Sequence, residues 1–370
     1  MRFALVALLL LHGAVHLLGF EKAFGLSEVA ALHRPIARPA GALWLLCASA
    51  FFVSAALLVL SPRSWALVAA AAVVLSQVLI VLAWSDAKLG TAANLVVLLI
   101  ACASIRDRLP TGFQATYERE RDRGLARVAA GPTLTEGELA RLPAPVRQYL
   151  RRSGAVGKPR VKNLRVRWVG RMKPAPGADW MDIRAEQYSF FDEPTRLFLL
   201  EASRYGVPFA SLHLYIGPSA TMQVRVASLV DIVDAHGAEM NQSETVTLFN
   251  DMCVLAPATL VDADIAWQEL DERTVRGRFT NAGHTVSADL FFDPEGDLLN
   301  FVSSDRYQSA DGKVYERFPW STPLSAYRDF AGRRVATHGD AVWKHPEGDL
   351  VYGTFDVEDI RYNVGAADGS

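Results

Sequence analysis

The chain has 370 residues, with 38 Lys and Arg against 40 Asp and Glu, 51% hydrophobic residues and three cysteines. That length is enough for two or three domains, each with its own core. The excess of acids over bases beyond Ile105 and the lack of a recognised binding motif argue against nucleic acid as a partner, while Cys47, Cys102 and Cys253 offer no pair at disulfide or metal spacing.

Charge divides the chain. Up to Ile105 the only bases are Arg2, Lys22, Arg34, Arg38, Arg63 and Lys88, and the only acids are Glu21, Glu28 and Asp86. Such a step marks a change of solvent. A helix rises about 1.5 Å per residue, so about 20 apolar residues cross about 30 Å of hydrocarbon. Four segments are expected to do so: Phe3 to Phe20, Ala40 to Leu60, Trp65 to Trp84, and Leu89 to Ile105, the last being the shortest and carrying Asn94. Arg2 ahead of an apolar run imitates a signal peptide, but no small-x-small site follows, so the run reads as a retained helix. The short connections at Ser61 to Ser64 and Ser85 to Lys88 require antiparallel neighbours, and Ala69 to Ala72 allow close approach. Trp44, Trp65 and Trp84, at or near helix ends, suit the membrane interface.

His12 and His16 share one helix face at a spacing open to metal ligation, with His33 in the next loop. No other span supplies further ligands, so hydrogen bonding inside the bundle is the preferred reading, and neither a metal nor a cofactor is expected. Four spans put both termini on one side of a bacterial inner membrane. Arg2, Arg63, Arg106 and Arg108, with Arg119 further on, outweigh Lys22, Arg34, Arg38 and Lys88, which leans the soluble part to the cytoplasm.

Residues 106–162 read as a helical, basic connector. Gln114 to Ala130 alternates charge like a solvated spacer helix before Gly131-Pro132, a second helix starts after Thr135, and a third spans Pro145 to Arg152. From Arg141 to Arg171 there are ten bases and no acid. Arg147, Arg151, Arg152, Arg165, Arg167 and Arg171 are candidate contacts to anionic lipid headgroups. The competing reading is a solvated face balanced by acids elsewhere.

Residues 163–364 read as an antiparallel β-rich domain. Asn163 to Met172 alternates apolar and polar as a half-buried strand does. Similar runs follow at Ile183 to Phe191, Arg196 to Arg204, Ser211 to Ile216 and Thr221 to Val233, then a helix from Asn241 to Leu255. Strands resume at Ile265 to Leu270, Thr274 to Thr280, His284 to Asp293, Leu298 to Gln308, Lys313 to Phe318, Arg333 to Lys344 and Leu350 to Asn363. The expected fold is a four-span membrane bundle followed by an α+β domain, a large curved antiparallel sheet or half-barrel with one or two covering helices.

Leu11 to Phe24 (Leu-His-Gly-Ala-Val-His-Leu-Leu-Gly-Phe-Glu-Lys-Ala-Phe), Leu142 to Arg151 (Leu-Pro-Ala-Pro-Val-Arg-Gln-Tyr-Leu-Arg), Phe318-Pro319-Trp320 and Ile360-Arg361-Tyr362-Asn363 resemble a bacterial membrane family without an established activity, over most of the chain. More loosely, the meander interrupted by a helix resembles the half-barrel of LolA/LolB-type lipoprotein carriers. That likeness implies a concave apolar face for acyl chains and a periplasmic domain, against the charge count.

Signatures of zinc proteases, serine hydrolases, phosphate-binding loops and Cys-x-x-Cys chemistry are absent, and no catalytic residue is assigned. His213, His236, His284, His338 and His345, His338-Gly339-Asp340 and Asp262/Asp264 read as strand-edge or turn residues. Trp168, Trp180, Tyr188, Phe198, Trp267, Trp320 and Trp343 would cluster on inward faces, as core or as the wall of an apolar cavity. The leading expectation is a membrane-anchored binding module for a lipid or other apolar molecule. The alternatives are a membrane-anchored hydrolase-like enzyme and a non-catalytic scaffold or sensor.

Overall fold

The structure, a computed structural model, describes residues 2–61, 64–128 and 131–365. Arg63, counted above for sidedness, lies outside the described residues. Two compact units divide the chain, Met1–Gly112 and Phe113–Ser370.

The first unit is helical: α1 (Arg2–Phe24), α2 (Arg38–Leu60), α3 (Trp65–Leu82), the single turn α4 (Trp84–Ala87) and α5 (Gly90–Arg108). Of these, α1, α2 and α3 are long and apolar enough to cross a membrane. The fourth expected span is helical, but α5 is not among them: Asn94 near its start and Arg106-Asp107-Arg108 at its end shorten its apolar run. Small residues set the packing. A Cβ on Gly19 would stand 2.3 Å from the Trp44 ring, so α1 and α2 approach there through glycine. Trp44 and Trp65 are buried within the bundle rather than turned to the interface, while Trp84 is exposed. His12 and His16 are hydrogen-bonded inside it: His12 Nε2 meets Asn94 Oδ1 at 2.8 Å and His16 Nε2 meets Ser76 Oγ at 2.9 Å.

The second unit opens with α6 (Phe113–Leu125), a 3-10 turn at Glu136–Arg141 closed by a Thr135/Glu138 capping box, and α7 (Ala144–Arg152). Six strands follow: β1 (Asn163–Met172), β2 (Met181–Phe190), β3 (Thr195–Arg204), β4 (Val207–Ile216), β5 (Ser219–Val226) and β6 (Val230–His236). Then come α8 (Ala238–Leu255) and a 3-10 turn at Pro257–Val261. The remainder is β7 (Ile265–Asp271), β8 (Thr274–Asn281), β9 (His284–Phe292), β10 (Leu298–Ser303), β11 (Tyr307–Gln308), β12 (Glu316–Arg317), β13 (Trp320–Ser321), β14 (Leu324–Phe330), β15 (Arg333–His345) and β16 (Gly348–Tyr362).

One antiparallel sheet of 14 strands runs β6-β5-β4-β3-β2-β1-β16-β15-β13-β10-β9-β8-β7, with β14 on β15. Its outer strands β6 and β7 do not pair, so it is open. Helix α8, the chain between those two edges, touches β5 and β6 and also β9, β10 and β15. The sheet must therefore curl around it, as the twist of long antiparallel sheets permits. The sequence suggested a helix covering the sheet; α8 is instead a core helix buried nearly all round. Its Phe249 packs on Phe279 and Phe301, with ring centroids at 5.2 and 5.5 Å.

Three local expectations are corrected. The strand expected from Thr221 to Val233 is the β5-β6 hairpin, turning at Ala227 and Ser228 with φ of 49° and 57°; neither is the Gly, Asn or Asp that such positive-φ positions favour, which hid the reversal. The strand expected at Leu298 to Gln308 breaks after Ser303, and β13 and β14 fill a stretch read as irregular. Helix α6 is not a solvated spacer: Phe113, Tyr117 and Leu125 bury against Tyr188, Phe190, Leu197 and Leu199 on the outer face of β2 and β3.

Candidate functional site

Alternation along β3 decides what the curved sheet holds on each side. Leu197 and Leu199 face α6, whereas Arg196, Phe198 and Leu200 face inward. The inner side forms a partly open cavity of about 490 Å³ between β1–β6, β15, β16 and α8, and its lining is mainly apolar. That volume lies within the range of small-molecule sites.

Of the aromatic residues singled out from sequence, Trp168, Phe198, Trp320 and Trp343 line this cavity. The other three do not. Tyr188 is on the opposite face of β2, 6.3 Å from Tyr117 between ring centroids; Trp267 packs on Phe249 in the core; Trp180 is 37% exposed beneath Arg171 and Lys173.

The candidate headgroup cations are largely engaged with neighbouring groups. Arg151 pairs with Glu136 at 2.5 Å, Arg152 with Asp297 at 3.3 Å, Arg165 with Glu186, and Arg167 with Glu358 and Asp359 at 3.7 and 3.6 Å. Arg147 donates to the Leu142 carbonyl at 2.9 Å, and Arg171 covers Trp180.

At the cavity floor sits a group that sequence reasoning missed. Arg196 donates to Asp251 at 2.6 Å and to Glu244 at 3.2 Å, all three side chains being buried. Gln187 donates to the same Asp251 oxygen at 2.7 Å and accepts from Trp168 Nε1 at 3.2 Å. His213 Nδ1 is 3.7 Å from Glu244 Oε1, beyond hydrogen-bond reach. Burial pushes the Glu244 carboxyl up, but the Arg196 guanidinium and the facing His213 outweigh it and hold it at about 2. Burial wins at Asp251, whose carboxyl is raised against the pull of Arg196. The available signals were a basic residue in the inward phase of β3 and two acids seven residues apart on one helix.

Ser211, His213 and Glu244 all line the cavity, yet Ser211 Oγ has no hydrogen-bond partner among the described residues. That is short of an activated nucleophile. Among the described residues no group of three or more His, Cys, Asp or Glu could hold a metal ion. His338, on β15, bonds Asp356 at 2.7 Å, and both are partly exposed.

A family model matches residues 132–355, more than half of the chain. The chain belongs to DUF6544, a family of unknown function. The match takes in β1 to β15 and about half of β16, and with them the cavity. No curated protein matches. Solved structures similar to the chain include a putative outer membrane lipoprotein-sorting protein domain from Vibrio parahaemolyticus (12% identity, 55% of this chain and 86% of that one, TM-score 0.33). A LolA superfamily protein from Nitrosomonas europaea is similar at 11% identity (59% and 93%, TM-score 0.34), and a DUF1329 family protein from Desulfovibrio piger at 13% (60% and 93%, TM-score 0.34).

Proposed function

We propose that this DUF6544 chain is a membrane-anchored binding module that holds a lipid or other hydrophobic molecule inside its curled sheet. The observation that carries this reading is the cavity of about 490 Å³, walled mainly by apolar side chains among them Trp168, Phe198, Trp320 and Trp343. An apolar hollow of that size leaves its lining without contacts on one side, which a ligand restores.

The anchor is α1 to α3 together with α5 as a fourth span. The Asn94 amide, costly at membrane depth, is engaged by His12 at 2.8 Å and by Gln77 at 3.0 Å, which supports that placement. Four spans in a bacterial inner membrane set both termini on one side, with the basic flanks favouring the cytoplasmic one.

The test is native mass spectrometry with lipid extraction on the full chain, wild type beside Ala202→Trp, which places an indole in the cavity from β3. One apolar molecule per chain in the wild type and its loss in the variant are expected. Equal lipid content in both would sink the reading.

A further inference from the structure

Six of the residues that line the cavity carry a buried side-chain atom with no hydrogen-bond partner among the described residues: Arg204 Nε, Ser211 Oγ, Glu244 Oε1, Arg306 Nε, Gln308 Oε1 and Asp340 Oδ1. An apolar chain has no group to pair with them. Three of these atoms are acceptors, Ser211 Oγ can play either part, and Arg306 belongs to a corner of the wall where donors gather.

Arg306 lies in the segment between β10 and β11, its guanidinium 4.4 Å above the Trp320 ring and 5.4 Å from that of Trp343. Unlike Arg196 and Arg204, it has no carboxylate in ion-pair range among the described residues. Glu244 is near enough to feel its charge, but Glu244 is paired with Arg196.

Arg306 Nη1 donates to the Tyr352 hydroxyl at 3.0 Å, and Trp320 Nε1 donates to the same oxygen at 3.1 Å. With both acceptor positions of that oxygen used, the Tyr352 O–H proton is left to donate, and Tyr352 lines the cavity. Tyr352 stands where the β15-β16 register slips, Ala341 pairing Gly353 and Val342 pairing Val351, so a bulge re-aims its ring. Arginine, indole N–H and phenol thus meet as donors, with Arg306 Nε and the Tyr352 O–H proton left without an acceptor among the described residues.

Resting on the apolar-cavity reading above, we infer that the ligand is an acidic amphiphile whose oxyanion, carboxylate or phosphate, is received by Arg306 and the Tyr352 hydroxyl while its chain fills the hollow.

The probe is cis-parinaric acid against its methyl ester, which share a chain and differ only in the charged end. Binding to the full-length protein in an amphipathic polymer is read by energy transfer from tryptophan. The acid should bind at one per chain and at least about tenfold tighter than the ester, the worth of a charge-assisted hydrogen bond. Arg306→Gln should erase that preference, Arg306→Lys should keep part of it, and Tyr352→Phe should weaken it several-fold. Dodecyl phosphate should displace the acid, and inorganic phosphate should not.

Equal affinities for acid and ester, or a preference that survives both Arg306→Gln and Tyr352→Phe, would overturn the inference and leave the apolar cavity standing. Displacement by inorganic phosphate alone would overturn it in favour of a free-anion site. Saturable binding of neither probe would bring down the cavity reading itself.

Discussion

Replacing Arg196 by methionine removes the cation shared by Glu244 and Asp251 while keeping most of the side chain's length. Both carboxylates are buried and lie 3.2 and 2.6 Å from the guanidinium. At an effective dielectric of about 20, each contact is worth on the order of 5 kcal/mol. The cost is capped by an escape route, because a stranded carboxylate takes up a proton. At pH 7, neutralising a carboxyl of ordinary pKa near 4 costs about 4 kcal/mol. The expected loss is therefore about 4 kcal/mol, in line with breaking other buried pairs, or a fall of about 8–16 °C in Tm for a unit of this size.

The pH dependence carries the signature. Glu244, held at about 2 in the native state, contributes stability above its unfolded pKa near 4.5 and loses it as pH falls towards 2. Asp251, raised in the native state, works in the opposite sense. In Arg196→Met the two carboxyls are left facing each other and take up one proton between them, so the gap to wild type should narrow by about 1.4 kcal/mol per pH unit between pH 7 and 5. Thermal unfolding followed by tryptophan fluorescence reads this, Trp168 being joined to the group through Gln187. The triple change Arg196→Met, Glu244→Gln, Asp251→Asn should recover most of the loss. A single-variant cost under about 1 kcal/mol, or a gap that does not change with pH, would refute the reasoning.

Phe249→Ala, at a fully buried position among Phe279, Phe301 and Trp267, should cost about 3–5 kcal/mol in denaturant unfolding. Phe198→Ala should cost less, because one side of that ring already faces the cavity, yet it should weaken parinaric acid binding where Phe249→Ala followed at a permissive temperature does not. Gly154 has φ +67° and sits where a Cβ would meet the Gly332 carbonyl oxygen at 2.4 Å; Gly154→Ala should lower the stability of the second unit by more than the ~1–2 kcal/mol of the backbone term alone, measured by equilibrium unfolding. Tyr117→Ala should leave Tyr188 and Phe190 under-covered and raise binding of an apolar dye without altering the ligand cavity on the other face.

Alternation made β1 readable to its ends, because every second residue of Asn163 to Met172 had to be apolar to serve one buried face. The apolar runs of α1 to α3 were equally plain, since length against hydrocarbon thickness is a local property. Periodicity gave a face to each aromatic but not its neighbours. Tyr188 and Phe198 both read as inward, yet their strands turn them to opposite sides of the sheet, and only the second reaches the cavity.

The amino-acid order by itself determined where most of the helices and strands form, the break between apolar and charged halves, and the long antiparallel meander, all of which follow from side-chain period and turn chemistry over a few residues. The tertiary structure alone decided that the sheet curls around α8, that Arg196 meets acids 48 and 55 residues further on, and that a bulge brings the Tyr352 hydroxyl to Arg306. The reason is that these depend on pairing register and sheet curvature, which bring together residues far apart in the chain and leave no trace in a local pattern.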